Sequence, residues 1–589
     1  MHKVVRNFHS LASIVFLLCV PGVAQENAWI SPAGGNWHDP YWSLGILPSS
    51  GQSIYLTNAG SKEVEINHTT AQKFFETLEM DHLRISAPAG SVNALILDKL
   101  GMRQPVTTGL VIVGNNGAMV IDRSLLEASM FGVGGSVIQE GEVSSDRLYV
   151  GFDTPGHYVL KRGTLLVSQA ESIGGNYNDA SLLVQEGGTH WAPVTIQPNG
   201  EFQLNGGEFT GSILIRKGGT FRQQGGVFYN QDSTRVGGGF LQSGGAIVAP
   251  EATMSVPAYP SISFDPRSSA EAVQIGGINE HSNLVVGLPW MSASAVSFSG
   301  GCYNVPDHRG AYRLVDGELV TSATLLEPNG FIDQSGGHHL VRERMTLRSS
   351  IYVVHIRHTT NVGVACVRSP GYHISGGTLE VQDLSIGAGA SFVQDGGKTI
   401  VNGTLATSGH ATWYGLPIPS HFNLLNGLLI VSNLVISPRV QFFQSGAKLA
   451  VQNVWVLGNS LRVTENFSCD GLIELRGGKL ECVEGNQRLG QLMISGQPAV
   501  SSFSMPEGKC ALRFDDSSGL AWDTTAQLAI EGWAGSLTGG GGHRITFGSG
   551  QAGLTPNQLS QISFIQPAGL PSGNYSAHML ANGEIVPAF

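Results

Sequence analysis

Ionisable side chains are sparse along this chain, and one stretch gathers several of them: His338-His339, Arg342-Glu343-Arg344, His355, Arg357-His358 and His373. Imidazole and guanidinium groups held together could ligate a metal or bind a sulfated or acidic glycan. His339 and His358 stand 19 positions apart. If the backbone stacks at that period, the two rings would face each other about 5 Å apart on successive strands. His339, Arg342 and His358 are therefore the candidate patch. The plainer alternative is a solvated strand face, where charged side chains are ordinary.

Other chemistry is thinly written. Hydrolysis or elimination on a polysaccharide needs two carboxylates at a set separation, or a basic group beside bound calcium. The best adjacent pair, Asp515-Asp516, would point to opposite faces of a strand. Gly174-Gly175-Asn176-Tyr177-Asn178-Asp179 partly matches a calcium-binding glycine repeat but does not recur at nine residues. Neither a zinc-type H-E-x-x-H nor a Ser-His-Asp order is present. We expect no catalytic residue, no metal and no cofactor. Trp29, Trp37 and Trp42 could form an aromatic sugar platform. The alternative is that they plug an open end of the fold.

The elements that would position these groups announce themselves by repetition. Phe202-Gln203-Leu204-Asn205-Gly206-Gly207, Phe221-Arg222-Gln223-Gln224-Gly225-Gly226 and Phe240-Leu241-Gln242-Ser243-Gly244-Gly245 follow Leu183-Val184-Gln185-Glu186-Gly187-Gly188 at a constant step of 19. Helical repeats need about 33 residues and propeller blades about 40, so a unit this short is one coil of a β-solenoid. Between the glycine corners the residues alternate, with Ile213 and Ile215 on one face. The rhythm begins near Leu95, is interrupted by Pro250, Pro257, Pro260 and Pro266, and resumes from Phe298 to about Leu475. The organisation expected is a signal peptide over 1–24, an N-terminal capping module over 25–94 and solenoid coils over 95–249. An irregular insertion or irregular coils follow over 250–294, then coils over 295–520 and a C-terminal capping module over 521–589.

The first segment reads as an export signal: Lys3 and Arg6, an apolar run from Leu11 to Val20, and Gly22-Val23-Ala24 before Gln25. No later run is long enough to span a bilayer as a helix. Charged residues are 13% of the chain and glycine 79 of 589, against about 25% charged in ordinary globular proteins. The net charge is −11 and no basic cluster occurs, so nucleic acid and anionic membrane surfaces are poor partners. Extracellular polysaccharide and cell-surface components fit better. Cys302, Cys366, Cys469, Cys482 and Cys510 are too dispersed for a disulfide framework. Cys469 and Cys482 could pair across coils, or sit as buried thiols.

Taken together, the F-x-Q-x-G-G and Y-x-L-x-G-G phrases resemble the repeats of secreted bacterial β-helix proteins. They are similar to autotransporter passenger regions and to repeat proteins associated with PEP-CTERM sorting tails. Gly34-Gly35-Asn36-Trp37-His38-Asp39-Pro40 near the start, and Leu528-Ala529-Ile530-Glu531-Gly532-Trp533 with Gly553-Leu554-Thr555-Pro556-Asn557 near the end, are similar to the terminal modules of those proteins. The chain departs from the pattern at Val586-Pro587-Ala588-Phe589, where a sorting tail would continue. The resemblance implies an exported protein and no particular reaction. The expected fold is an all-β, right-handed parallel solenoid with coils of about 19–20 residues, capped at both ends. Its expected work is structural or adhesive, outside the cell. The alternative is a polysaccharide-binding or polysaccharide-cleaving protein on the same scaffold.

Overall fold

The structure is a computed structural model. It describes residues 25–589 except 74–77, 176–179, 231–232, 237–238, 249–260, 265–270, 287–309, 327–329, 349, 353–365, 369, 409–411, 414–415, 418–419, 464–466, 483, 497–499 and 506–507. The segment expected to be a signal peptide, 1–24, lies outside that set. Among the described residues helix is confined to two short pieces, His68–Lys73 and Pro556–Ser560. Strands make up most of the rest, with turns and corners between them. Thirty-five of them form one hydrogen-bonded sheet in which the described strands pair in parallel, and a seven-stranded sheet adjoins it near the C-terminal end.

The 19-residue period is the stacking step. Ser181–Gln185 pairs in parallel with Gly200–Leu204, then Thr220–Gln223, then Gly239–Gln242, with Phe202 opposite Phe221 and Phe221 opposite Phe240. Thr189–Ile196, Glu208–Ile215 and Val227–Asn230 form a second face at the same offset. Alternate residues of each strand point inward, so Gly200–Leu204 reads buried, half-buried, buried, half-buried, buried. Inward phenylalanines stack turn over turn: Phe392 on Phe422 at 4.9 Å and Phe422 on Phe442 at 5.1 Å, with planes 5° and 3° apart. That spacing is set by the strands themselves, about 4.8 Å apart.

The Gly-Gly pair has two separate causes. A Cβ on Gly206 would lie 2.3 Å from the Glu186 carbonyl oxygen of the turn beneath, so stacking itself forbids a side chain. Gly207 has φ +74°, the left-handed region that L-residues resist. The corner then hands the chain back to the ladder, with the Val227 N–H donating to the Gly207 carbonyl at 2.9 Å.

The glutamine of the phrase is not a surface residue. Gln139, Gln185, Gln223, Gln242, Gln274, Gln334, Gln394 and Gln444 are all buried. Each points its amide into the corner. Gln223 Nε2 donates to Gly226 of its own corner and to Ala246 of the next, at 3.3 and 3.0 Å. Gln334 does the same with Gly337 and Thr378, and Gln394 with Gly397 and Leu428. Buried backbone carbonyls are thereby satisfied where the strand ladder breaks. The amide oxygens depend on the next turn. Tyr158, Tyr312 and Tyr372 donate their hydroxyls to Gln139, Gln274 and Gln334 at 2.5, 2.6 and 2.6 Å. Where phenylalanine takes that place, as after Gln185 and Gln394, the amide oxygen has no partner among the described residues.

Two expectations need correction. Coils do not begin near residue 95: Gln25–Ala28 already pairs in parallel with Gln52–Leu56, and that strand with Leu78–Ile85. Of the two readings of 250–294, an insertion or irregular coils, the described part takes the second: Ser261–Phe264 and Glu271–Val286 join the stack, the latter paired with Gly310–Leu326 through shifts of register near Ile275. The remainder of that stretch lies outside the described residues. Cys482 pairs with Cys510, not Cys469, joining the two sheets across a Cα–Cα distance of 6.3 Å. Cys469 is a buried free thiol, pushed up to about 11 by burial.

Rhythm also breaks by insertion. The turn from Phe331 to Gly371 carries an antiparallel pair, Ser350–Tyr352 with Cys366–Arg368, so the register steps by 40. At the C-terminal end Gln527–Glu531 still pairs in parallel with Ile562–Ile565, and then Asn574–Met579 and Ile585–Pro587 turn back antiparallel.

Candidate functional site

The ionisable stretch is divided by strand alternation. In His338–Leu347, His339 points inward, is fully buried and sits in register between Leu319 and Leu379. Its Nδ1 is 3.1 Å from the Tyr372 hydroxyl and its Nε2 3.4 Å from Thr324 Oγ1, which lies 2.8 Å from Thr321 Oγ1. The ring stacks 6.0 Å from Tyr372. Burial, and then the neighbouring His338, press the His339 imidazole down to about 3. It is a neutral link in an enclosed chain from Gln334 to Thr321, and no ligand can reach it.

Arg342 lies on the outward side of the same strand. The position following His339 in the ladder is Leu379, because the inserted hairpin lengthens that turn. The 19-residue pairing with His358 is thus not the one the ladder makes, and His358 itself lies outside the described residues. The outward members form ordinary surface pairs: His338 lies 3.8 Å from both Glu318 and Glu380, and His373 3.0 Å from Asp333. Exposed pairs of this kind contribute little, about 0–1 kcal/mol each. Among the described residues no group of three His, Cys, Asp or Glu side chains is placed to hold a metal.

Trp29, Trp37 and Trp42 are not a platform. They are 1%, 0% and 2% exposed and pack edge to face, with centroids 5.2 and 4.7 Å apart. The indole N–H groups of Trp29 and Trp42 donate to the Ala33 and Trp37 carbonyls. A sugar needs an open aromatic face, and these faces are taken up by the first turns of the core.

A second enclosed polar contact, His190 Nε2 to Glu171 Oε2 at 2.7 Å, is likewise sealed, with both side chains 0% exposed. Phe202 and Phe209 pack against the imidazole.

The arrangement that does face solvent was missed from the sequence. A shallow groove of about 380 Å³ is lined by Thr404, Asn433, Val435, Trp455, Leu457 and Arg476. Four adjacent parallel strands build it: Ser391–Thr407, His421–Ile436, Lys448–Leu457 and Phe467–Arg476. Ala406, Val435, Trp455 and Glu474 are successive cross-strand neighbours on the outward face. Glu474 is only 4% exposed. Its Oε1 accepts from Arg476 at 2.6 Å and from the Ser495 hydroxyl, and the Trp455 side chain also hydrogen-bonds to the carboxylate. Burial opposes ionisation of Glu474, but the bonds from Ser495, Arg476 and Trp455 and the guanidinium charge outweigh it, leaving the pKa below the usual range. Alongside, Asn453 Nδ2 donates to Asn433 Oδ1 at 3.1 Å, and the Leu472 N–H to Asn453 Oδ1 at 3.0 Å. The available signal was parity: Trp455 lies between inward Val454 and Val456, and an outward tryptophan is a costly thing to leave in water.

Chemically, the groove offers one indole, amide and hydroxyl groups, and a compensated carboxylate–guanidinium pair. Comparison with family models, with curated proteins and with solved structures finds no match to this chain.

Proposed function

We propose that this chain is an exported scaffold with a structural or adhesive role at the cell surface or in extracellular matrix. The observation that carries the reading is the ladder. It runs in one sheet from Gln25–Ala28 to His543–Phe547 over a single apolar core. About twenty successive strands at about 4.8 Å each give a rod on the order of 90 Å long. A rod of this kind presents long side faces and stability that sums over turns. The coils are taken as right-handed, the hand that parallel crossovers adopt almost without exception.

Both ends are read as caps. The buried tryptophan cluster closes the first turns. The antiparallel return of 574–587, with Trp533 packed 5.4 Å from Phe564, closes the last. An open final turn would otherwise offer strand edges to other chains. The Cys482–Cys510 disulfide suits an oxidising compartment, and the apolar run behind Lys3 and Arg6 suits export. The resemblance to secreted bacterial β-helix repeats points the same way.

Location tests this first. Intact cells are labelled with an amine reagent that does not cross membranes, and the chain is then recovered and its labelling measured. Labelling comparable to a known surface protein supports the reading. A chain labelled only after lysis overturns it.

A further inference from the structure

We propose that the groove over Trp455 binds a neutral oligosaccharide, with the indole as the stacking face and the surrounding amides and hydroxyls as hydrogen-bonding partners. The inference rests on the adhesive reading above for its purpose, and names the chemistry of what would be held.

Trp455 is half-buried at an outward position, so part of the ring meets solvent while its polar edge is committed to Glu474. An indole fixed in this way offers an aromatic surface at little entropic cost. The apolar face of a pyranose packs on such a surface, and its equatorial hydroxyls need donors and acceptors around the rim. Asn433, Thr404 and Arg476 stand at that rim.

Charge selects among sugars. Arg476 is bound to Glu474 at 2.6 Å and to Ser495 Oγ at 3.2 Å, so its charge is compensated within the site. A polyuronate or sulfated chain would find no surplus cation here, whereas a neutral chain loses nothing.

Topology selects against a peptide. A peptide adding as a strand needs an unpaired sheet edge. The strands His421–Ile436 and Lys448–Leu457 are each paired on both sides through the groove. Recognition here must run through side chains. Three strand spacings span about 14 Å, which suits a short stretch of polymer rather than a single ring.

The test uses the full mature chain and titration calorimetry. The probes are oligomers of β-1,4-glucose, β-1,4-N-acetylglucosamine and mannose, with polygalacturonate as the charged comparison. At least one neutral oligomer should bind, and Trp455→Ala should weaken it about tenfold or more, the effect of losing one aromatic anchor. Trp455→Phe should retain most of the affinity. Trp191→Ala, at an outward tryptophan 43% exposed on a distant turn, should leave it unchanged. Circular dichroism of each variant should match the parent. No binding of any neutral oligomer overturns the proposal, as does binding that Trp455→Ala leaves intact, or tighter and salt-sensitive binding of polygalacturonate. Cell attachment separates the two readings. Attachment by a chain that binds no neutral sugar sinks the groove and keeps the adhesive role, while Trp455-dependent sugar binding without attachment does the reverse.

Discussion

Acidification should loosen the turns around His339, and the size of the effect follows from its burial. The imidazole is fully enclosed and held down to about 3, whereas in the unfolded chain it titrates near its ordinary value of about 6.5. Above pH 6.5 both states are neutral and the group has no effect on stability. As pH falls below that value the unfolded chain takes up a proton that the folded chain refuses. Stability is therefore lost progressively down to about pH 3, at up to about 1.4 kcal/mol per unit. At pH 5.0 the loss from this residue is about 2 kcal/mol. Solenoid turns open locally rather than all at once, so the assay is amide hydrogen exchange of segments 310–347 and 371–401 at pH 7.5 and 5.0, corrected for the intrinsic exchange rate. His339→Leu is the control, because Leu319 and Leu379 are its neighbours in register and Tyr372 keeps its bond to Gln334. The variant should lose most of the acid sensitivity of these segments. An unchanged difference between the two pH values in the variant would refute the reasoning.

Three further substitutions test the rules of the stack. Phe422→Tyr places a hydroxyl where Tyr372 stands relative to Gln334, and should satisfy the unpartnered Gln394 amide oxygen. It should stabilise by about 1 kcal/mol in thermal or exchange measurements, and clear destabilisation would contradict the pairing rule. Gly207→Ala combines a left-handed φ with a Cβ 2.3 Å from the Gly188 carbonyl oxygen. It should cost about 2–5 kcal/mol locally, seen as lost protection in 181–230, and a silent variant would refute the corner geometry. Cys510→Ser should lower the stability of the C-terminal turns by roughly 3–4 kcal/mol, the usual value for a loop of this size. Limited proteolysis reads it, and equal resistance of variant and parent would count against a bond that matters.

Much of this architecture was legible because its causes are local. Glycine pairs are compulsory where turns stack, and alternation is compulsory where one face is buried, so both leave marks at a fixed period. Parity would have placed His339 as well. The second residue after the glycine pair is inward in turn after turn: His190, Phe209, Phe228, Ile247, His339, Leu379, Thr399. His339 belongs to that series, and reading it as surface ignored the series in favour of the residue's polarity. Other features depend on what lies one turn away, at a separation that sequence does not disclose once insertions vary. The Phe331-to-Gly371 step of 40 hides the true neighbour of His339. Cys482 meets Cys510 across a 28-residue separation that matches no repeat. The groove over Trp455 draws on four strands at once, and Glu474 is enclosed only because Arg476, Ser495 and Trp455 converge on it. No single stretch contains that site.

The central claim, that the rod works by adhesion or support outside the cell, is met most directly by a retention measurement. Beads coated with the folded chain, residues 25–589, are placed under flow over intact cells of the source organism and over their extracellular matrix. The account predicts retention well above that of beads carrying an inert protein, abolished when the chain is heat-unfolded before coupling. Retention equal to the inert control on both cells and matrix would contradict it.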